Sequence, residues 1–143
     1  MIAPSTASAV GETVRPIWNI FSGSPHPTDA PGLGFTVDVR DVASLLVYFV
    51  SHPQETDGER YIAKGANSVS QSIADVLRNA FPDALGRIVE GVKGRGYKTD
   101  YQVNTDAQVD VDSSKARKLL EGGEWTGYAK SVVDTAKTFV GLV

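Results

Sequence analysis

The sequence predicts one small α/β domain that is rich in helix and has a few short strands. Its 143 residues suit a single hydrophobic core, which we expect to span residues 1–143. Several segments repeat apolar residues every three or four positions, as amphipathic helices do. Shorter runs, such as the one at Phe35, alternate between apolar and polar residues as strands do. With 41% apolar residues, this core needs no disulfide, and the chain has no cysteine to form one.

Capping residues and glycines set the predicted helix ends. The pattern predicts helices at 13–22, at 39–51, at 70–81, from 112 or 113 to 120, and at 126–140. Their predicted caps are Asp38, with Asp41 as its capping-box partner, Ser70, and Thr126. The helix at 39–51 is expected to bury a stripe made of Val42, Leu45, Leu46, Phe49 and Val50.

The remaining segments are assigned to strands and loops. Alternation predicts strands at 35–37, at 59–63 and at 87–90. Prolines and glycines predict a loop at 24–34, and glycines among basic residues predict a long, mobile surface loop at 91–106.

Charge and composition exclude several classes of function. Fourteen basic and seventeen acidic residues give a net charge of −3 without a basic run, so nucleic acid is not expected as a partner. The longest apolar block falls far short of the ~20 residues of a membrane helix, and no secretory signal is recognisable, so we expect a cytoplasmic protein with no membrane contact. Neither histidine has a ligand-like neighbour four residues on, so no metal site is expected.

The first 35 residues carry only three charges, at Glu12, Arg15 and Asp29. Such a segment is stable in water only if it packs against a hydrophobic core, an identical subunit or a ligand. We therefore expect a homodimer and an apolar small-molecule substrate.

Two groups of side chains are candidates for a site. Trp18, Phe21 and Phe35 could line an apolar pocket, and His26, between two prolines, could serve there as an acid or a base. Tyr97 and Tyr101, with Lys98 between them, could place hydroxyls and an ammonium near a carbonyl. A surface histidine and an ordinary polar loop explain the same residues without any chemistry.

Several motifs occur in the order found in a known family. These are residues 35–43 (FTVDVRDVA), 58–62 (GERYI), the helical segment 70–81, and 114–120 (SKARKLL). The sequence resembles the C-terminal substrate lobe of the extended short-chain dehydrogenase/reductases, in the branch of fungal aldehyde and ketone reductases, dihydroflavonol reductases and cinnamoyl-CoA reductases.

The resemblance implies a nucleotide-binding half that this chain does not match. That half carries a Gly-x-x-Gly-x-x-Gly loop for NADP and a Tyr-x-x-x-Lys pair that protonates the carbonyl. Neither motif occurs here, and none of the five tyrosines has lysine four residues later. We therefore expect no cofactor, and no reductase activity from this chain alone.

Two functions remain open. The chain could be a cofactor-independent isomerase or cyclase, such as a pericyclase, that folds an apolar substrate in the former reductase pocket. Alternatively, it is an inactive half or a binding module derived from an NADP-dependent reductase. The charge-poor first 35 residues favour the first function, because they are suited to enclosing a ligand.

Overall fold

The structure, a computed structural model, describes residues 3–29, 34–99, 101 and 111–143. Its helices and strands are α1 (Arg15–Ser22), β1 (Gly34–Thr36), α2 (Val39–Ser51), α3 (Pro53–Thr56), β2 (Ala66–Ser68), α4 (Ser70–Ala80), α5 (Ser114–Arg117) and α6 (Tyr128–Lys137). The predicted fold class, α/β with much helix and short strands, is confirmed. None of the helices described is long and apolar enough to cross a membrane.

The ends of α1 and the start of α2 follow the predicted local chemistry. Pro16 lies in the first turn of α1, where its missing N–H costs no hydrogen bond. Gly23 ends this helix in the left-handed region, with φ of +80°. Asp38 caps α2, because its carboxylate accepts a 2.9 Å hydrogen bond from the backbone N–H of Arg40.

Two other predicted caps are wrong. Ser70 is the first residue of α4 rather than its cap, and the hydroxyl of Ser72 accepts the backbone N–H of Val69. Thr126 lies one residue before the cap of α6, which is Gly127. The helix predicted to reach residue 120 is also shorter, since α5 ends at Arg117 and a 3₁₀ turn follows at Glu121–Gly123.

The two strands form one antiparallel pair. Gly34 pairs with Ser68, Phe35 with Asn67 and Thr36 with Ala66. The predicted first strand is therefore confirmed with a shift of one residue.

The strands predicted at 59–63 and 87–90 are wrong. A β-strand requires backbone hydrogen bonds to a neighbouring strand, and β1 forms these bonds with residues 66–68 rather than with residues 59–63. Residues 87 and 88 continue the turns after α4, because their N–H groups donate to the carbonyl of Ala84.

The main core lies between α1, α4 and α6. Phe21, Leu77 and Phe139 are at most 1% exposed there. The ring of Trp18 meets that of Phe139 edge-to-face with 5.4 Å between the centroids, and the ring of Phe21 meets that of Phe81 at 5.0 Å. This core fixes the positions of the three helices that surround the sites described below.

A second, smaller cluster joins α2 to α5. Leu45, Ala116 and Leu120 are buried in it, and Phe49 and Tyr61 pack against it. The stripe predicted for α2 is only partly correct: Leu45 is buried and Val42 and Phe49 are half-buried, whereas Leu46 and Val50 are 59% and 83% exposed. The error arises because apolar residues occupy two sides of this helix, and periodicity alone cannot tell which side meets the core.

Candidate ligand-binding groove

A groove runs between α1, β1 and α6. It encloses about 450 Å³. Its lining comes from the turn before α1, from α1, from β1 and the β1–α2 junction, and from α6. The lining residues are Thr13, Val14, Ile17, Phe35, Thr36, Val37, Asp38, Val39, Tyr128, Ser131, Val132 and Thr135. Half of these residues are aliphatic or phenylalanine, so the groove is mainly apolar with a few hydroxyl groups.

A smaller cavity of about 280 Å³ continues the groove past the start of α2. The two cavities share Asp38, Val39, Ser131 and Thr135, and the smaller one adds Arg40, Asp134 and Thr138. The site is therefore an apolar groove with one charged end.

The guanidinium of Arg40 organises this charged end. Its Nε and Nη2 donate to the two carboxylate oxygens of Asp38, each at 2.8 Å, and its Nη1 donates to Asp134 at 2.8 Å. The hydrogen bond from Arg40 lowers the pKa of Asp38 to about 2 against the opposing effect of burial. The bond from Arg40 to Asp134 links the start of α2 to α6.

Asp134 is surrounded by cations. Lys130 donates to its carboxylate at 2.6 Å, Arg40 donates at 2.8 Å and Lys137 lies at 3.4 Å. These bonds, the one from Lys130 first, hold the pKa of Asp134 well below its ordinary range. Negative charge at the end of the groove is thereby balanced by positive charge.

Asp41 forms a second link, between α2 and the segment that leads into α6, in place of its predicted capping-box role. Its carboxylate accepts the backbone N–H of Thr126 at 2.9 Å and the hydroxyl of Thr126 at 2.8 Å. Because Asp41 is only 8% exposed, these bonds satisfy a charge that is largely removed from water.

Of the four predicted binding residues, Phe35 lines the groove. Trp18 and Phe21 lie in the main core at 8% and 1% exposure, and Lys98 is exposed on the loop after α4. Binding roles for these residues remain predictions. Sequence reasoning missed Ser131 and Thr135, although their spacing of four residues beside an apolar stripe on α6 signals a polar helix edge.

The three predicted catalytic residues lie around α4. Nε2 of His26 is 3.2 Å from the hydroxyl of Ser70, the first residue of this helix. The rings of Tyr97 and Tyr101 stack with 5.6 Å between their centroids, so the structure does bring these two together. Tyr101 also contacts the ring of Tyr128 at 4.6 Å.

The phenol of Tyr97 is bound to a carboxylate. It donates to Oδ2 of Asp75 at 2.6 Å, and burial together with this bond raises its pKa above the ordinary value for tyrosine. The hydroxyl of Tyr128 lies 2.7 Å from that of Ser68 and 2.8 Å from that of Ser72. Both phenols are therefore engaged by neighbouring polar groups.

Buried polar groups of α4 hold the loop that carries Tyr97. Gln71 donates to the carbonyl of Glu90 at 2.8 Å and accepts the N–H of Val92 at 3.1 Å, and Asp75 accepts the N–H of Gly94 at 2.8 Å. The described part of the predicted mobile loop, residues 91–99 and 101, is thus attached to α4 at several points, while residues 100 and 102–106 lie outside the described part of the chain.

Comparison with known proteins relates the chain to fungal reductases, although no family model matches it. NADPH-dependent methylglyoxal reductase GRE2 of Saccharomyces cerevisiae is 34% identical over 114 residues, which are 79% of this chain and 31% of the reductase. An uncharacterised oxidoreductase of Schizosaccharomyces pombe is 30% identical over 125 residues, or 84% of this chain and 32% of the relative.

A solved structure supports the same relationship. The crystal structure of Gre2 from Candida albicans superposes with a TM-score of 0.72 at 27% identity, and the match covers 97% of this chain and 41% of that one. The chain spans about a third of the length of the curated relatives it matches. This partial match agrees with the predicted resemblance to their C-terminal part. By sequence and by fold, the chain is homologous to one part of the Gre2-like fungal reductases, which are extended short-chain dehydrogenase/reductases.

Proposed function

We propose that this chain is a substrate-binding lobe that holds an apolar small molecule in the groove and catalyses no reaction on its own. The groove itself is the observation that carries the proposal. Its volume of about 450 Å³ lies within the range of roughly 300–1,000 Å³ that is usual for small-molecule sites. Such sites combine an apolar lining with a few polar groups, as this one does.

The charge balance at the end of the groove indicates a neutral ligand. Arg40 is half exposed, and three of its five N–H donors bind Asp38 and Asp134. The guanidinium can still donate to a ligand carbonyl, but its charge is already neutralised by the two carboxylates, so it offers little to offset the cost of removing an anion from water. An elongated ketone or aldehyde, with its carbonyl at the Arg40 end, suits both properties.

The positions of the acid and base candidates favour binding over cyclisation or isomerisation. His26, Tyr97 and Tyr101 are absent from the lining of the groove. The phenol of Tyr97 donates its proton in a hydrogen bond to Asp75. The raised pKa of Tyr97 opposes proton release near neutral pH. The groove contains Tyr128, but its hydroxyl is held by two serines. The binding-module alternative therefore accounts for the geometry better than a cofactor-free enzyme does.

Calorimetric titration tests the proposal with two eight-carbon probes, 2-octanone and octanoate. We expect saturable binding of 2-octanone, and binding of octanoate at least tenfold weaker. Val14→Trp fills the groove and should weaken 2-octanone binding at least tenfold. Val89→Trp makes the same change at a 40% exposed position outside the groove and should leave binding unchanged.

Two results would overturn the proposal. One is ketone binding that Val14→Trp and Val89→Trp affect equally, which would place the ligand elsewhere. The other is consumption of NADPH by the chain alone in the presence of 2-octanone, followed at the absorbance of the nicotinamide.

A further inference from the structure

A further cavity lies beside the start of α6. It encloses about 430 Å³, and we call it the aromatic cavity because Tyr101, Trp125 and Tyr128 contribute to its lining. Among the described residues, Tyr128 is the one that lines both the groove and the aromatic cavity. A single side chain therefore stands at the boundary between these two spaces.

Next to Tyr128, the boundary is formed by paired backbone. Thr36 lines the groove, whereas Gly65 and Ala66 line the aromatic cavity. Thr36 pairs with Ala66 in the β1–β2 ladder, and its carbonyl accepts the N–H of Gly65 at 2.8 Å. This part of the boundary opens only if backbone hydrogen bonds break. The side chain of Tyr128 is therefore the part of the boundary that a substitution can remove.

Hydrogen bonds and a ring contact hold Tyr128 in place. Ser72 donates its hydroxyl proton to the carbonyl of Val69 at 2.8 Å, so it can only accept from the phenol. Tyr128 therefore donates to Ser72 at 2.8 Å and accepts from Ser68 at 2.7 Å. Its ring also contacts that of Tyr101 with 4.6 Å between the centroids. Because Tyr128 is only 8% exposed, these contacts fix its ring at the boundary.

Tyr128 and Arg40 lie at opposite ends of the site along α6. This helix lines the groove from Tyr128 to Thr135, and Arg40 binds Asp134, six residues after Tyr128. Six residues of helix span about 9 Å. That distance is close to the length of an extended 2-octanone molecule. A ketone of this size, with its carbonyl at the Arg40 end, therefore ends at Tyr128.

We propose that Tyr128 is a specificity-determining residue whose ring ends the groove and limits the apolar tail of a carbonyl ligand to about the length of 2-octanone. This length limit rests on the proposed function, since it concerns the ligand of the same groove. Without the ring, the groove and the aromatic cavity form one continuous site. A longer tail then reaches Tyr101 and Trp125.

Calorimetric titration with 2-octanone and 2-dodecanone tests the length limit, because the longer ketone has four more methylene groups. Each methylene group that is buried strengthens binding roughly fourfold. The wild type should bind both ketones with the same affinity to within about twofold, because Tyr128 keeps the extra methylene groups from being buried. Tyr128→Ala should bind 2-dodecanone at least tenfold more tightly than 2-octanone.

Two variants serve as controls. Tyr128→Phe keeps the ring and should therefore keep the wild-type ratio of the two affinities, although it removes the bonds to Ser68 and Ser72. Tyr48→Ala removes an exposed tyrosine that lines neither the groove nor the aromatic cavity, and it should leave both affinities unchanged. If Tyr128→Ala does not fold, as judged by circular dichroism, Tyr128→Leu replaces it and should shift the ratio in the same direction at least threefold.

The ratio of the two affinities separates the outcomes. A general loss of structure weakens the binding of both ketones equally, whereas a joined site favours the longer one. Wild-type ratios in both Tyr128→Ala and Tyr128→Leu would overturn the length limit, and so would a wild type that binds 2-dodecanone at least tenfold more tightly than 2-octanone. The proposed function would survive either result, because binding of 2-octanone and its loss in Val14→Trp do not depend on Tyr128. Absence of 2-octanone binding to the wild type would overturn the proposed function and the length limit with it.

Discussion

The main core and the α2 region differ in how far each is completed by the chain itself. In the main core, α1, α4 and α6 surround Phe21, Leu77 and Phe139, which have lost almost all contact with solvent. In the α2 region the buried hydrophobic residues, among those the structure describes, are Leu45, Ala116 and Leu120, and Leu46, Val47 and Val50 of α2 remain exposed. Both regions are rich in apolar residues, so the difference lies in the number of neighbours and not in composition.

This difference indicates where the folding free energy resides. Burial contributes roughly 25 cal/mol for each Å² of apolar surface removed from water, so the main core supplies most of the stability. The α2 region is attached to it through polar links, made by Arg40 with Asp134 of α6 at one point and by Asp41 with Thr126, just before α6, at another. A region attached in this way can be altered at its outer face without unfolding the molecule.

The largest expected effect comes from a truncation in the main core. Phe139→Ala removes a ring that is 0% exposed and that packs edge-to-face on Trp18, so we expect a loss of about 3–5 kcal/mol in the free energy of unfolding. Phe49→Ala removes a half-buried ring from the α2 region, and we expect a loss of only about 1–2 kcal/mol. Urea denaturation followed by circular dichroism measures both values.

If Phe139→Ala fails to fold, Val132→Ala serves as a milder truncation of the same core, since Val132 is 3% exposed. Equal losses for the core and α2 truncations would show that the two regions are equally well packed.

A smaller effect is expected where the two regions are joined by Asp41. Asp41→Ala leaves the N–H and the hydroxyl of Thr126 without their acceptor, and we expect it to cost about 2–3 kcal/mol. A double-mutant cycle with Thr126→Val measures the coupling between the two side chains, which should be about 1 kcal/mol. Additive losses would mean that this link does not hold α2 to α6.

Local sequence signals were sufficient where the determining contact is close in the chain. The left-handed end of α1 at Gly23 and the cap of α2 at Asp38 depend on residues within a turn, and both were predicted. The resemblance to the reductase family was also found from short motifs in the right order. These successes explain why the fold class could be predicted.

Contacts distant in the chain explain what sequence reasoning missed. Asp41 and Thr126 are 85 residues apart, and nothing near Asp41 distinguishes this partner from the predicted capping box. The hydrogen bond from Tyr97 to Asp75, 22 residues away, likewise could not be foreseen from the loop sequence. The sequence predicts an apolar pocket lined by Trp18, Phe21 and Phe35, of which Phe35 lines the groove. The other wall of the groove could not be foreseen, because it belongs to α6 near the opposite end of the chain.

The smallest expected effect is a dependence on pH at the Asp38–Arg40 link. The pKa of Asp38 falls from 3.8 to about 2 in the folded chain, so the folded state favours the ionised carboxylate more than the unfolded state does. The resulting stabilisation is present in full above about pH 5 and is lost as the pH falls from about 4 towards 2. Because Arg40 is half exposed to water, we expect a contribution of about 1–2 kcal/mol.

Urea midpoints between pH 2 and pH 6 measure this dependence. Asp38→Asn should lower stability at pH 6 and flatten its decline in acid, while Asp57→Asn, at an exposed position outside the α2–α6 link, should retain the wild-type decline. Raising the salt concentration should reduce the difference between wild type and Asp38→Asn, since counterions screen the exposed side of Arg40. If Asp38→Asn loses stability in acid as steeply as the wild type, the Asp38–Arg40 pair is not the source of the acid sensitivity. The carboxylate of Asp134, which also binds Arg40 and also has a lowered pKa, would then account for the decline.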